Sequence, residues 1–520
     1  MKKRWKILIA ACIALGLAIL LPVIRHYQLR FAVESYLAEL KAKGEPMELA
    51  QVIPPPVPPE QNSADNFRHA AELIDADKSL LKTNYSYGMK MVAPGRAIIR
   101  WQEPDIRDKD STNFWEALES AVAQNKQALN FLRQIIERPA LDFQIHYERG
   151  LGGDFDWTNL NLVQLKKSGV YLSAAALADL RRGDSAAAVK NTKAMLVLAN
   201  ALQEQRYVIS ELVRIAIAAI AQHVTWEILQ SPQLSDEQLA ELQTAWQRLD
   251  YLQGYRDALN MERVSGELTL SRWRNLSMEL EKYFGLMRES RETLGIGDEA
   301  QSALAKSRTA EKIFLWRYWW SYPDELRSLR GHEVMLESSR EVQTNGEYLA
   351  AFQLQQARLD ALGINKVNSE LDGIFSTDMD FHSMLSGSIA VLGNTLHRVM
   401  VAETSKRAIV TAIALKRYQL KHGNYPADLN SLVPEFLPAV PLDPVDGQPL
   451  RYRHNADKTF LLYSVGENGV DDGGNPALEP GVTSSSFAWQ NPHALDWVWP
   501  QPATAEEIQK YYEEQARKSK

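Results

Sequence analysis

Between Gly466 and Gly474 the chain gathers Glu467, Asn468, Asp471 and Asp472 among glycines. Hard oxygen donors of this kind suit calcium, on a loop whose glycines let carbonyl groups turn inward. Asp471 and Asp472 are the foremost candidate ligands, with Asn468 and Glu467 beside them. The spacing is not that of an EF-hand, and a solvated Gly/Asp turn is the simpler alternative. Elsewhere the search for chemistry yields little. His332-Glu333 is not followed by the second histidine of a zinc helix. No Gly-x-Ser-x-Gly elbow occurs. Gly150-Leu151-Gly152-Gly153 lacks the lysine of a phosphate-binding loop. The ten histidines form no His-x-His or His-x3-His cluster. Glu211, Arg214 and His223 share one apolar helical stretch, where a polar side chain is more often a satisfied core group than a catalytic one. These failures point to a non-catalytic protein. A calcium-dependent binding module for surface ligands and an unrecognised envelope hydrolase are the alternatives.

The elements that would position such residues begin with an anchor. Lys2, Lys3, Arg4 and Lys6 precede an uncharged run, Ile7 to Ile24, of 18 residues. As a helix it would be about 27 Å long, close to the ~30 Å of a bilayer's hydrocarbon core. A cleaved signal peptide would end in small residues, whereas this run ends in Leu21-Pro22-Val23-Ile24-Arg25. A lipoprotein site at Cys12 would leave too short an apolar run ahead of it. An uncleaved single span fits best. The basic cluster before the run is denser than Arg25 and Arg30 after it, which sends the body out of the cytoplasm across the inner membrane. Cys12 is the sole cysteine, so the body has no disulfide and no Cys-based metal site. A formal net charge of −7 with no basic stripe argues against a nucleic-acid partner. Hydrophobic residues make up 45 %, enough to bury a sizeable core.

Beyond the basic tip and anchor (residues 1–30), residues 31–62 read as a juxtamembrane helix, Tyr27 to Lys43, ended by Gly44, and an extended proline-rich linker through Pro54 to Pro59. Residues 63–380 read as an irregular helical array. Gly183 stops one Ala-rich helix and Asp184 caps the next, a pattern loosely like tetratricopeptide hairpins but without a fixed repeat. A third helix begins near Ser210, and Ser235 with Gln238 forms a capping box opening a fourth. Ile217 to Leu229 is interrupted by Gln222, His223 and Glu227 and reads as a buried core helix. Ile313 to Tyr322 is the densest aromatic patch. Aromatic core is its simplest meaning, while a membrane interface or a sugar platform could also use it.

From Thr404 the character changes. An amphipathic helix through Ala408, Ile409, Ala412, Ile413 and Tyr418 ends at Gly423. Leu450 to Arg453 and Phe460 to Ser464 read as an antiparallel strand pair. Ala-Leu-x-x-Tyr-x-x-x-x-Gly-x-Tyr-Pro spans Ala414 to Pro426, Pro-x-Asp-Pro spans Pro441 to Pro444, Gly-x-Pro-Leu-x-Tyr spans Gly447 to Tyr452, and Leu-Tyr-Ser-x-Gly spans Leu462 to Gly466. In this order the segment resembles the C-terminal head of type II secretion major pseudopilins. The resemblance implies a small α+β head over residues 381–475, a long helix on an antiparallel sheet, and a Gly/Asp loop that often holds calcium. Asn468 stands where that family is usually acidic. The processed leader of that family has no counterpart at this N-terminus, so the chain looks like an anchored protein carrying such a head, not a pilus subunit. Residues 476–520 read as a tail with a short helix from Thr504 and a charged, fraying end. The expectation is a mainly α protein of the envelope that binds other envelope proteins and takes part in a secretion or pilus-like assembly.

Overall fold

The computed structural model describes residues 2–76, 88–107, 112–113, 115–151, 157–275, 314, 316–364, 385–482 and 489–518. Gly152 and Gly153, Ile313 and Leu315 of the aromatic run, and the expected boundary at 380/381 lie outside the described residues. The protein is mainly helical, with a small sheet region near the C-terminus. The helices are α1 (Lys2–Ala42), α2 (Leu49–Val52), α3 (Ala64–Ala76), α4 (Trp115–Gln124), α5 (Lys126–Gln134), α6 (Leu162–Arg181), α7 (Ser185–Ala201), α8 (Val208–Leu229), α9 (Asp236–Gln247), α10 (Tyr251–Asn275), α11 (Ser321–Asn345), α12 (Tyr348–Ala361), α13 (Ser386–Leu392), α14 (Thr395–His422) and α15 (Ala505–Lys518). The strands are β1 (Lys90–Ala93), β2 (Arg96–Ile98), β3 (Ile106–Arg107), β4 (Thr112–Asn113), β5 (Arg451–His454), β6 (Phe460–Ser464), β7 (Trp497–Val498) and β8 (Gln501–Pro502).

Local signals set several helix ends. Gly183 takes φ +79° after α6, and the Asp184 carboxylate accepts the Ala187 N–H to open α7. Ser235 and Gln238 make the reciprocal capping box of α9. The small residues of α6 and α7 let α6, α7 and α8 pack as a three-helix layer, and α14 crosses α8, α9 and α10. α8 is long and apolar enough to cross a membrane, yet 61 % of its apolar window is buried inside the protein, as expected of a core helix.

The segment expected to form a head is woven into this layer. β5 pairs antiparallel with β6, with Tyr452 opposite Leu462, and β6 also pairs with β7. One continuous hydrophobic cluster runs from Phe67 through Leu172, Ile217 and Ile413 to Leu462 and Trp499. Gln243 donates to the Phe436 carbonyl at 2.7 Å, Lys406 to the Leu249 carbonyl at 2.7 Å, and Arg417 pairs with Asp236. The tail is likewise built in. The Trp226 indole donates to the Pro500 carbonyl, and β8 lies parallel to β2. Helix α15 continues to Lys518, where the sequence read a fraying end.

The run Ile7 to Ile24 and the juxtamembrane segment form one helix of 41 residues, about 60 Å long. Beyond Ile24 it lies on α11. Val33, Leu40 and Leu329 bury one another, each worth about 1.5–3 kcal/mol. His26 meets Tyr322, Tyr36 meets Arg330, and Glu45 meets Arg340, so α1 and α11 run parallel. Gly44, at φ +81°, turns the chain so that Glu45 enters a closed ring of charges. Arg263 of α10 pairs with Glu45 at 2.8 Å and with Glu333 at 3.1 Å; Arg340 pairs with Glu333 at 3.2 Å and with Glu45. The Arg263 side chain is wholly buried, so its loss leaves two largely buried carboxylates sharing Arg340 alone. In denaturant unfolding of the full chain, Arg263→Met should cost about 3–5 kcal/mol. Arg340→Met, at the wetter corner, should cost about 1 kcal/mol or less. Equal losses would mean that the ring does not key the fold.

Candidate functional site

The Gly466–Gly474 loop is folded around an acid the sequence did not single out. Asp496 accepts the N–H groups of Gly474 and Asn475, each at 2.9 Å, and that of Asp472 at 3.4 Å. Three N–H groups of the loop and its exit are thus aimed at the Asp496 carboxylate. The four candidate ligands have other partners. Asp471 accepts from the Tyr463 hydroxyl at 2.9 Å and from Gly473 N–H at 3.0 Å, and its other oxygen is 3.5 Å from Arg451. The Gly473 N–H, then Tyr463 and Arg451, hold its pKa below the usual value. Asp472 accepts from Asn468 at 3.0 Å, and Glu467 faces His397 at 2.9 Å. Among the described residues no group of three or more His, Cys, Asp or Glu could hold a metal ion. As placed, each of these four residues is engaged by a partner within the protein.

The Pro441 to Pro444 motif has a structural explanation. Asp443 is fully buried, accepting from the N–H groups of Val445 and Val465 at 3.0 Å and from the Ser464 hydroxyl at 2.9 Å. Burial raises its pKa, against these donors.

Glu211 and Arg214 are sealed in the core, 2.9 Å apart, under Gly254. A Cβ on Gly254 would come within 2.5 Å of the Arg214 Nη1 and 2.6 Å of Glu211 Oε2. Arg214 also donates to the Asp250 carbonyl and lies on the Tyr251 ring. His223 sits one helical turn before Glu227, and its backbone packs on Gly88. They do not converge on a cleft. Glu227 is fully buried and takes the Arg100 N–H on both oxygens, at 3.0 and 3.2 Å; burial pushes its pKa up to about 8. Glu262, bonded to Val208 N–H, is pushed to about 7 by burial. His332, buried and donating to the Ser328 carbonyl, is held down to about 4.

Among the described residues, an open cleft of about 390 Å³ lies between α4–α5 and the α6–α7 turn. Lys126, Lys190, Arg133 and Arg182 line it and outnumber Glu119 and Asp179. Asp179 is nearly buried, bonded by Arg182 and Asn191, and Arg133 donates to Asn191 at 2.8 Å. Burial raises the Asp179 pKa in spite of the two arginines. Val122 and Leu129 supply an apolar floor. Lys126 and Lys190 make no ion pair among the described residues. Arg181-Arg182 beside the Gly183 turn was the available sequence signal, but a basic helix C-terminus is common for dipole reasons alone.

No family model matches this chain, and no curated protein or solved structure is found to be similar to it.

Two measurements check these geometries. Thermal melting of the full chain should be the same in millimolar calcium and in chelator. A rise that disappears in the Asp471→Ala/Asp472→Ala variant would show that the loop trades its partners for an ion. For Glu227, the folded pKa lies above the unfolded value of 4.5. The folded state therefore holds a proton the unfolded chain has lost, and stability should fall as pH rises from about 4.5 to about 8. Glu227→Gln should flatten that slope in pH-dependent unfolding; an unchanged slope would place the titration elsewhere.

Proposed function

We propose that the chain is a single-pass, non-catalytic protein of the inner membrane whose extracytoplasmic body holds a protein partner in the cell envelope. The observation that carries this is the parallel seat of α1 on α11, locked at Glu45. It makes the helix containing the apolar run continuous with a rigid body, as a membrane-tethered scaffold requires. The basic residues ahead of Ile7 support an N-terminus in the cytoplasm. The cationic α4–α7 cleft supports an acidic segment of that partner as its occupant. The sealed positions of Glu211 and Arg214 support a structural role for the polar groups that most invited a catalytic one. The β5–β6 pair beside α14 supports the likeness to pseudopilin heads, and with it a place beside a type II secretion or pilus-like assembly.

A photocrosslinking residue at Lys190 in intact cells should give a defined protein adduct in the membrane fraction. Arg133→Glu should weaken that adduct several-fold. A pattern no different from that of a probe at solvent-facing Glu435 would remove the cleft from the proposal. Protease added to spheroplasts should digest the body; protection together with a cytoplasmic control would reverse the orientation.

A further inference from the structure

The aromatic run divides in two. One π turn, Trp316–Trp320, points the Trp316 ring inward, edge-on to Trp273 at 6.1 Å between centroids. Phe314, Tyr318 and Trp319 face out, 46–58 % exposed. Large aromatics exposed together are costly in water and mark an interaction surface. Their location names the partner. His26 of α1 donates from Nδ1 to the Tyr318 carbonyl at 2.9 Å, and its ring packs on Tyr318 and Tyr322. The ledge therefore stands at the level of Ile24 to Tyr27, where the apolar run of α1 ends.

Helix α1 exposes further apolar side chains at this depth, on its side away from α11. Leu20, Ile24, Tyr27 and Phe31, all exposed, recur at i, i+4, i+7 and i+11 and so share one face. Tyr27 is about 4.5 Å and Phe31 about 10 Å beyond Ile24 along the helix. The headgroup layer adds about 5–8 Å to each side of the hydrocarbon core. Arg25 lies in the groove with Tyr318 and Trp319, placed to meet anionic lipid phosphates. Tyr and Trp at that depth, with a cation beside them, make an interfacial belt.

We propose that Phe314, Tyr318 and Trp319, with Tyr27, enter the headgroup region of the bilayer and seat the body on the membrane. This rests on the proposed anchor. It sets an orientation that the anchor alone leaves free. Helix α11 rises from the ledge at Ser321 to Asn345, about 36 Å away. The C-terminal module meets its far end, where Tyr348 N–H bonds to the Pro444 carbonyl. The exposed Val470 of that module is thus held well above the lipid.

Spin labels on the full chain in vesicles of phosphatidylethanolamine and phosphatidylglycerol test this. Cys12, the native cysteine, reports the anchor. In a Cys12→Ser background, Trp319→Cys and Phe314→Cys report the ledge, and Val470→Cys the distal end. The ratio of oxygen to nickel-chelate accessibility should be several-fold higher at 319 and 314 than at 470. Ledge labels as water-exposed as Val470, with Cys12 in lipid, would overturn the ledge and leave the anchor standing; a glycan platform would give that result. Dipolar broadening at 319 without lipid exposure would assign the ledge to a second copy of the chain and overturn it too. A water-accessible Cys12 would overturn the anchor and the ledge together.

Discussion

The closed ring of Glu45, Arg263, Glu333 and Arg340 is the constraint on which the arrangement depends. Two cations and two carboxylates alternate, so each charge has opposite neighbours on both sides. Well-packed apolar residues could match such a ring in stability, because burying ions costs several kcal/mol apiece before their attraction is counted. Apolar residues would not specify which turn of α1 meets which turn of α11. A leucine seam slips by a turn at modest cost, whereas a slipped ring leaves bare charges in a largely buried site. The same logic continues along α10 and α11, which run antiparallel. Arg256 meets Gln343, Arg263 meets Glu333, and Arg274 meets Glu325. Glu267 stands beside Glu325, and burial together with that neighbour raises its pKa strongly. Charges at both ends and the middle of the seam fix its register.

From that fixed seam α11 organises the helices C-terminal to it. Asp324, fully buried near its start, accepts the N–H groups of Leu385 and Ser386 and the Ser386 hydroxyl. It therefore caps α13 from another helix, as a carboxylate at a helix N-terminus should. At the other end Gly346 lets the chain turn at φ +78° into α12. Gln355 of α12 donates to the Gly393 carbonyl, just ahead of α14. The body's long helices are thus linked end to end by polar contacts, while apolar packing fills the space between them.

The parts legible in the sequence were those set by neighbours in the chain. Gly183-Asp184, the Ser235/Gln238 box and Gly423 each act within one turn of backbone, and their helix ends fall where those signals lie. The β5–β6 pair was legible from alternation and the intervening turn. The parts that could not be read depend on distant partners. Glu45, Arg263 and Glu333 look like solvated charges in the sequence, because their pairing spans more than half the chain. The Gly/Asp loop has the composition of a cation site, but Asp496, at which its N–H groups are aimed, lies beyond the loop. Nothing within Gly466–Gly474 points to that partner. The strand β8 was missed because its partner β2 lies near the opposite end of the chain and its two residues carry no alternation.

The C-terminal segment shows how far a local resemblance extends. A self-contained head would cover its long helix with its own sheet. Here α14 is buried on several sides at once, with Val399, Ile409, Ala412, Ile413 and Leu415 all in the core. β6 meets it on one side and α8, α9 and α10 on another. The motifs at Ala414 to Gly466 constrain the first of these contacts, through Tyr425 against Phe460 and the Tyr452 hydroxyl on the Pro426 carbonyl. They do not constrain the second, which is made by helices outside them. A segment beginning at Ser405 would expose the face that α8 and α9 cover, and each buried aliphatic side chain on it contributes about 1.5–3 kcal/mol. The head-like segment and the helical body therefore share one core.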